Sequence, residues 1–249
     1  METFIIFEVF IIALFILFQS VFGIGLLVFG TPTYLLLGYS FAETLSILVP
    51  VSITISFYQI YFARENINNF KIDYFKYCIP SLIIFLFITL LFFKNENIKI
   101  LISLIMIFLA IINLFGAKKI QQHFKRFFKN YYKLFYIFIG IIHGMTNLGG
   151  GFLSLMSSYI FFRNKNKIRK SIAYGYFIMG IFQCSVLILS KNFIFNNILI
   201  FYVFLSFFFY QIGKKIFDRL NLQIFNKILY FAIFIYGNIV LTITLLNLQ

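Results

Sequence analysis

The 249 residues include no tryptophan, three prolines, two cysteines and seven acidic residues, against 21 lysines and arginines. Each shortage excludes something. Cys78 and Cys184 lie far apart without metal-ligand spacing, and no disulfide is expected between them. No Asp or Glu falls in the central apolar segments, and the only histidines are His123 and His143. An acid–base pair or metal cluster inside those segments therefore has no residues to be built from, and no cofactor is expected. No Gly-x-x-x-x-Gly-Lys-Ser/Thr stretch occurs, which excludes a nucleotide-powered pump of that type. Met1-Glu2-Thr3 supplies no basic stretch before the first apolar run, so that run is expected to stay in the mature protein rather than act as a cleaved signal. The absence of Trp beside 39 Phe is read as AT-rich coding and given no functional weight.

What is present is apolar. Hydrophobic residues make up 62%, charged residues 11%, and the mean hydropathy is +0.97. Repeated uncharged runs of about 18 residues mark membrane helices, so the chain reads as an all-α, multi-pass integral membrane protein. The net charge of +14 could suggest nucleic acid. However, the Lys and Arg sit in short loops between apolar runs, as in the cytoplasmic loops of membrane proteins. The expected partners are the lipid bilayer and a small ligand, with no nucleic acid; homo-oligomerisation is left open.

The runs repeat. The first, about Phe4 to Gly38, is too long for one crossing and is interrupted by Gly23, Gly25, Gly30 and Pro32. Three ordinary runs follow: Ser40 to Phe62, Tyr77 to Phe93 and Ile98 to Gly116. After a basic stretch over 117–133 the pattern returns. Leu134 to Phe162 is long and broken at Gly149-Gly150-Gly151, and Ser171 to Leu189, Phe193 to Ile212 and Phe225 to Leu246 complete it. The expected organisation is a first membrane repeat over 1–116, a basic cytoplasmic linker over 117–133 and a second membrane repeat over 134–249.

Charge counting chooses a topology. If every run crosses once, the two sides carry ten and eleven Lys and Arg, with no bias. If each broken run is a re-entrant hairpin, 18 of the 21 share one side, and only Lys94, Lys99 and Lys191 remain opposite. The positive-inside rule favours the second arrangement. Each half then has three full crossings, an odd number, so the halves are inverted repeats. The N- and C-termini are expected outside, in the cell (plasma or inner) membrane, and the hairpin tips are expected to meet near the midplane.

In hydrocarbon, a broken helix is tolerated only where it is buried in protein or lines a cavity. Three glycines are expected to break the helix, since each costs about 1 kcal/mol relative to Ala. A helix starting at mid-membrane offers free N–H groups and a partial positive charge, so two such starts suit a small anion without a buried Lys or Arg. The expected substrate-binding residues are Gln19, Ser20, Gly23 and Gly25 at one tip. At the other they are His143, Thr146, Asn147, Gly149, Gly150 and Gly151. Aligning the tips sets Gln19 against His143 and Gly23-Ile24-Gly25 against Asn147-Leu148-Gly149. Ser52, Ser56 and Gln59 share one helical face as pathway-lining candidates, with Tyr174 and Gln183 in the matching run. Alternatively, the glycines serve helix packing, the hydroxyls bond their own helices, and His143 is a neutral cross-helix partner. Glu8 and Glu43 are expected near the outer interface; the sharper reading makes Glu8 a coupling-proton carrier.

At these residues the chain resembles the sulfite exporter TauE/SafE family of permeases. The resemblance rests on two copies of a glycine pattern. The first is Gln19-Ser20-Val21-Phe22-Gly23-Ile24-Gly25 with Pro32, and the second is Gly140-Ile141-Ile142-His143-Gly144 leading to Asn147-Leu148-Gly149-Gly150-Gly151. It implies transport of small anions, typically sulfur oxyanions or organosulfonates. The expected function is therefore a secondary transporter working by alternating access around the two hairpin tips, and not an enzyme. A membrane scaffold or assembly factor, and an enzyme using His143, are the competing readings.

Overall fold

A computed structural model describes residues 2–115, 118–161 and 164–247; side chains are described except at 2–5, 68–71, 115–129, 222–223 and 225–226. The side chain of His123 and most others of the basic 117–133 stretch lie outside the described ones. Every regular element among the described residues is helical. Six helices are long and apolar enough to cross a membrane. They are α3 (Phe41–Tyr61), α4 (Asn68–Phe92), α5 (Asn95–Phe115), α8 (Lys165–Leu189), α9 (Ile198–Arg219) and α10 (Leu222–Leu246). Each satisfies its backbone internally, as hydrocarbon demands.

The other four form two broken pairs: α1 (Glu2–Phe22) with α2 (Leu26–Leu36), and α6 (Lys118–Thr146) with α7 (Gly149–Ile160). With 11 and 12 residues, α2 and α7 are only about 17 and 18 Å long at 1.5 Å per residue. Neither can span a hydrocarbon core about 30 Å thick. The basic stretch expected as a linker is helical from Lys118 and continues into the membrane part of α6 past non-helical dihedrals at Tyr131.

The glycine run does not break the second hairpin. The chain turns at Asn147, where φ is +65°, while Gly149–Gly151 form the first turn of α7. Gly23, with φ +77°, does the same in the first hairpin. Asn is among the few non-glycine residues that visit this left-handed region readily. The two turns stand at positions the sequence alignment equates.

Side-chain caps fix the ends of the bundle. Free C-terminal carbonyls carry partial negative charge and favour a cation. Lys165 Nζ donates to the carbonyls of Phe217, Asp218 and Leu220 at the end of α9, at 2.9–3.1 Å. Lys170 Nζ donates to Ala63 and Glu65 just after α3, both at 2.7 Å. The start of α8 and the ends of α3 and α9 therefore lie together, at what we call the basic end. At the opposite end, Phe41 N donates to Asn95 Oδ1 and Ile194 N to Ser46 Oγ. This is the loop grouping of the re-entrant arrangement, not of eight simple crossings. Cysteines introduced singly for Arg64 and Asn164, with Cys78 and Cys184 replaced, should react with an impermeant reagent from one side, and Asn196→Cys from the other. Asn164→Cys and Asn196→Cys reacting from the same side would contradict the grouping.

Helix packing has a twofold pattern. α1 packs along α9 and α6 along α4; α3 pairs with α8 and α5 with α10. Exchanging α1–α5 for α6–α10 maps these pairings onto themselves. α3 and α8, which exchange with each other, run antiparallel: the end of α3 meets Lys170, and Ser46 near its start meets the segment after α8. Close approach on the α4–α6 seam comes from Gly140 and Gly144. A Cβ on Gly144 would lie 2.7 Å from the Leu82 carbonyl oxygen, and one on Gly140 would overlap the Cys78 carbonyl. These two glycines serve helix packing.

Candidate functional site

The proposed site residues fall into two clusters rather than one. At the first tip, α1 arrives with its carbonyl end. Gln19 Nε2 donates to Ser52 Oγ at 2.9 Å and Ser56 Oγ at 3.2 Å. Gln59 Nε2 donates to the Gln19 carbonyl at 2.8 Å and to that of Ser20 at 3.3 Å. The Ser52/Ser56/Gln59 face thus meets the first tip, as the helical spacing implies. The Ser20 carbonyl also accepts Arg169 Nη2 at 2.6 Å. Gly25, with φ +146°, precedes α2, whose start has no side-chain cap.

Arg169 corrects the expectation of a site without a buried cation. It is 8% exposed, and its guanidinium stacks 4.3 Å from the Phe217 ring centroid, with Tyr210 at 5.8 Å. Such stacking holds a partly desolvated cation. Its Nε, like Gln59 Oε1 and Ser20 Oγ, is buried without a hydrogen-bond partner. Arg169 and Gln59 line a cavity of about 250 Å³ at the basic end, with Arg64, Lys170, Tyr210 and Lys214 among its walls. Arg169 reads as a loop residue in the sequence, yet it stands 14 positions before Gln183, four turns back on the same face of α8. Extending that face toward Lys165 would have found it.

At the second tip, neutral groups form a chain. His143 Nε2 meets Gln183 Oε1 at 3.1 Å, Gln183 Nε2 donates to Asn147 Oδ1 at 3.1 Å, and Asn147 Nδ2 donates to Thr31 Oγ1 at 2.9 Å. Thr146 Oγ1 accepts from Leu148 N at 3.3 Å. The Tyr176 hydroxyl sits against Gly150, where a Cβ would overlap it. Tyr176 Oη and His143 Nδ1 are both buried without a partner. Gly149 gives room to His143 and Gly151 to Leu109. The Tyr174 ring lies 6.5 Å from that of Tyr74 on the α4–α8 seam.

The two tips lie at different levels along α8 and pass one another. Asn147 touches Thr31, five residues into the returning arm α2, or about 8 Å from its start. Gly23 packs near Ile172 and Arg169 toward the start of α8, whereas Asn147 reaches Gln183 near its end. The clusters nevertheless correspond under one constant offset: Gln19 to His143, Gly23 to Asn147, Gly25 to Gly149 and Gln59 to Gln183. Their states differ. Gln59 faces a cavity, while Gln183 is closed in by His143 and Asn147.

A family model described as "Sulfite exporter TauE/SafE" matches residues 9–238. No curated protein and no solved structure matches the chain.

Proposed function

The chain belongs to the sulfite exporter TauE/SafE family, and on that premise we propose that it carries a small sulfur oxyanion or organosulfonate, bound first at the cavity beneath the first hairpin tip. The observation that carries this reading is Arg169: one arm of its guanidinium is fixed on the Ser20 carbonyl, and its unpartnered Nε belongs to a side chain lining the cavity. Charge-assisted hydrogen bonds of this kind recognise oxyanions. Arg64, Lys170 and Lys214 also line the cavity, against Glu65 and Asp218, so its lining keeps a positive excess.

Alternating access follows from the unequal halves. We read the two repeats as inverted, on the strength of the twofold packing and the antiparallel α3–α8 pair. The state described is open at the basic end. In the opposite state the second half takes the geometry of the first: Gln183 leaves His143 and Asn147, while Gln59 passes from the Gln19 and Ser20 carbonyls to the Gln19 side chain. By the positive-inside rule the basic end is cytoplasmic, with both termini outside the cell membrane.

Gly150→Val tests the reading. The added side chain must displace the Tyr176 hydroxyl from the start of α7. In proteoliposomes, sulfite and methanesulfonate flux should fall to background while the variant inserts in normal amount. Unchanged flux would remove the second tip from the mechanism.

A further inference from the structure

α1 carries an acidic residue on its inward face. Ile6, Phe7 and Phe10 are exposed to the surroundings, whereas Glu8 is 6% exposed. Glu8 begins a buried stripe that runs through Ile12 and Ile16 to Ser20 at the first tip. Its bond to Tyr39 in the α2–α3 connection keeps it at the same end of the bundle as Glu43, which closes a capping box with Ser40 at the start of α3.

Glu8 Oε1 accepts the Tyr34 hydroxyl at 2.7 Å, and Oε2 accepts that of Tyr39 at 3.4 Å. Tyr202 of α9 faces the same carboxyl, and Glu43 of α3 stands beyond Tyr39. The groups presented by α2, α3, α9 and the α2–α3 connection are thus phenols and a second carboxyl. Among the described residues the only ion pair is Lys99–Glu96, on α5. A buried carboxylate without a cation is costly, and taking up a proton removes the charge.

We propose that Glu8 is the proton-binding site that couples anion movement to a proton gradient. This rests on the transporter reading above. The link to the site runs through α2. Ionised, Glu8 accepts bonds from both Tyr34 and Tyr39; protonated, it gives up part of that capacity and gains a donor. Tyr34 lies one turn beyond Thr31 on α2, and Thr31 holds Asn147 of the second tip. The proton on Glu8 therefore sets how firmly α1 and α2 are clamped, and α2 carries that to Asn147.

The test uses the full chain in proteoliposomes with the membrane potential clamped, and sulfite and methanesulfonate as probes. Methanesulfonate stays an anion throughout, so its own protonation cannot mimic coupling. Wild type should accumulate anion about tenfold per pH unit for one proton per anion. Glu8→Gln should lose that accumulation while anion-for-anion exchange stays within about twofold, since the amide keeps an acceptor for Tyr34. Wild-type accumulation in Glu8→Gln overturns the proposal, as does exchange lost together with accumulation in a variant that inserts normally. A second readout is independent of transport. Infrared difference spectra between acid and alkaline pH should show a buried carboxylic-acid band that Glu8→Gln removes and Tyr34→Phe shifts. If that band is absent the proton site falls. If neither anion moves but the band is present, the transporter reading falls while the proton-binding residue stands.

Discussion

Arg169→Gln is expected to lower the affinity for sulfite and methanesulfonate by roughly ten- to a hundredfold, because a hydrogen bond to a charged group contributes about 1.5–3 kcal/mol. The loss should appear as a raised half-saturation concentration, with normal insertion. The fold has little need of this guanidinium, since the Ser20 carbonyl has a second donor in Gln59 Nε2, at 3.3 Å. Arg169→Lys should recover only part of the affinity. A lysine keeps the charge but has no rigid fork with which to hold Ser20 and face the cavity together. It also loses the planar stacking on Phe217. Flux measured against anion concentration for the three proteins checks this; a half-saturation unchanged in Arg169→Gln would take the anion out of this cavity.

Gly144→Val is expected to have a large effect on stability. A Cβ there meets backbone on both sides, the Leu82 oxygen at 2.7 Å and the Leu86 nitrogen at 2.8 Å. Overpacking typically costs about 1–3 kcal/mol. Valine at this seam should reach the top of that range or exceed it, because α4 cannot move aside as a side chain can. Gly150→Val makes the contrast. Its nearest clash is with the hydroxyl end of the Tyr176 side chain rather than with backbone, so it should lose flux before it loses the fold. Thermal unfolding in detergent, run on both variants, separates the two kinds of glycine. Equal midpoints would contradict the assignment of Gly144 to packing and Gly150 to the site.

The helical membrane fold was legible because apolar runs and loop charges are long-range patterns that tertiary packing seldom overrides. The alignment of Gln19 with His143 and Gly23 with Asn147 was legible for the same reason: the repeat shares one offset throughout. Depth was not legible. Loop charges lead to the expectation that the two hairpins enter from opposite sides, but how far each travels depends on what it packs against. Asn147 on Thr31, rather than on Gly25, is a contact between residues more than a hundred positions apart. The turn was misplaced because three glycines suggest a break, yet the first turn of a helix needs no intrahelical N–H partner and tolerates them. Arg169 was hidden by its neighbours. Arg163, Lys165, Lys167 and Lys170 make it look like one more loop cation, and only the helical face it shares with Gln183 sets it apart. Glu8 shows the converse: nothing in its apolar run announces partners, and the phenols of Tyr34 and Tyr39 that enclose it come from 26 and 31 residues further on.

The most direct measurement is counterflow in proteoliposomes: vesicles loaded with unlabelled sulfite or methanesulfonate, and labelled anion supplied outside. The expected result is saturable uptake of label that requires anion inside and falls sharply in both Arg169→Gln and Gly150→Val. Wild-type protein that inserts correctly and carries neither anion above empty vesicles would contradict it.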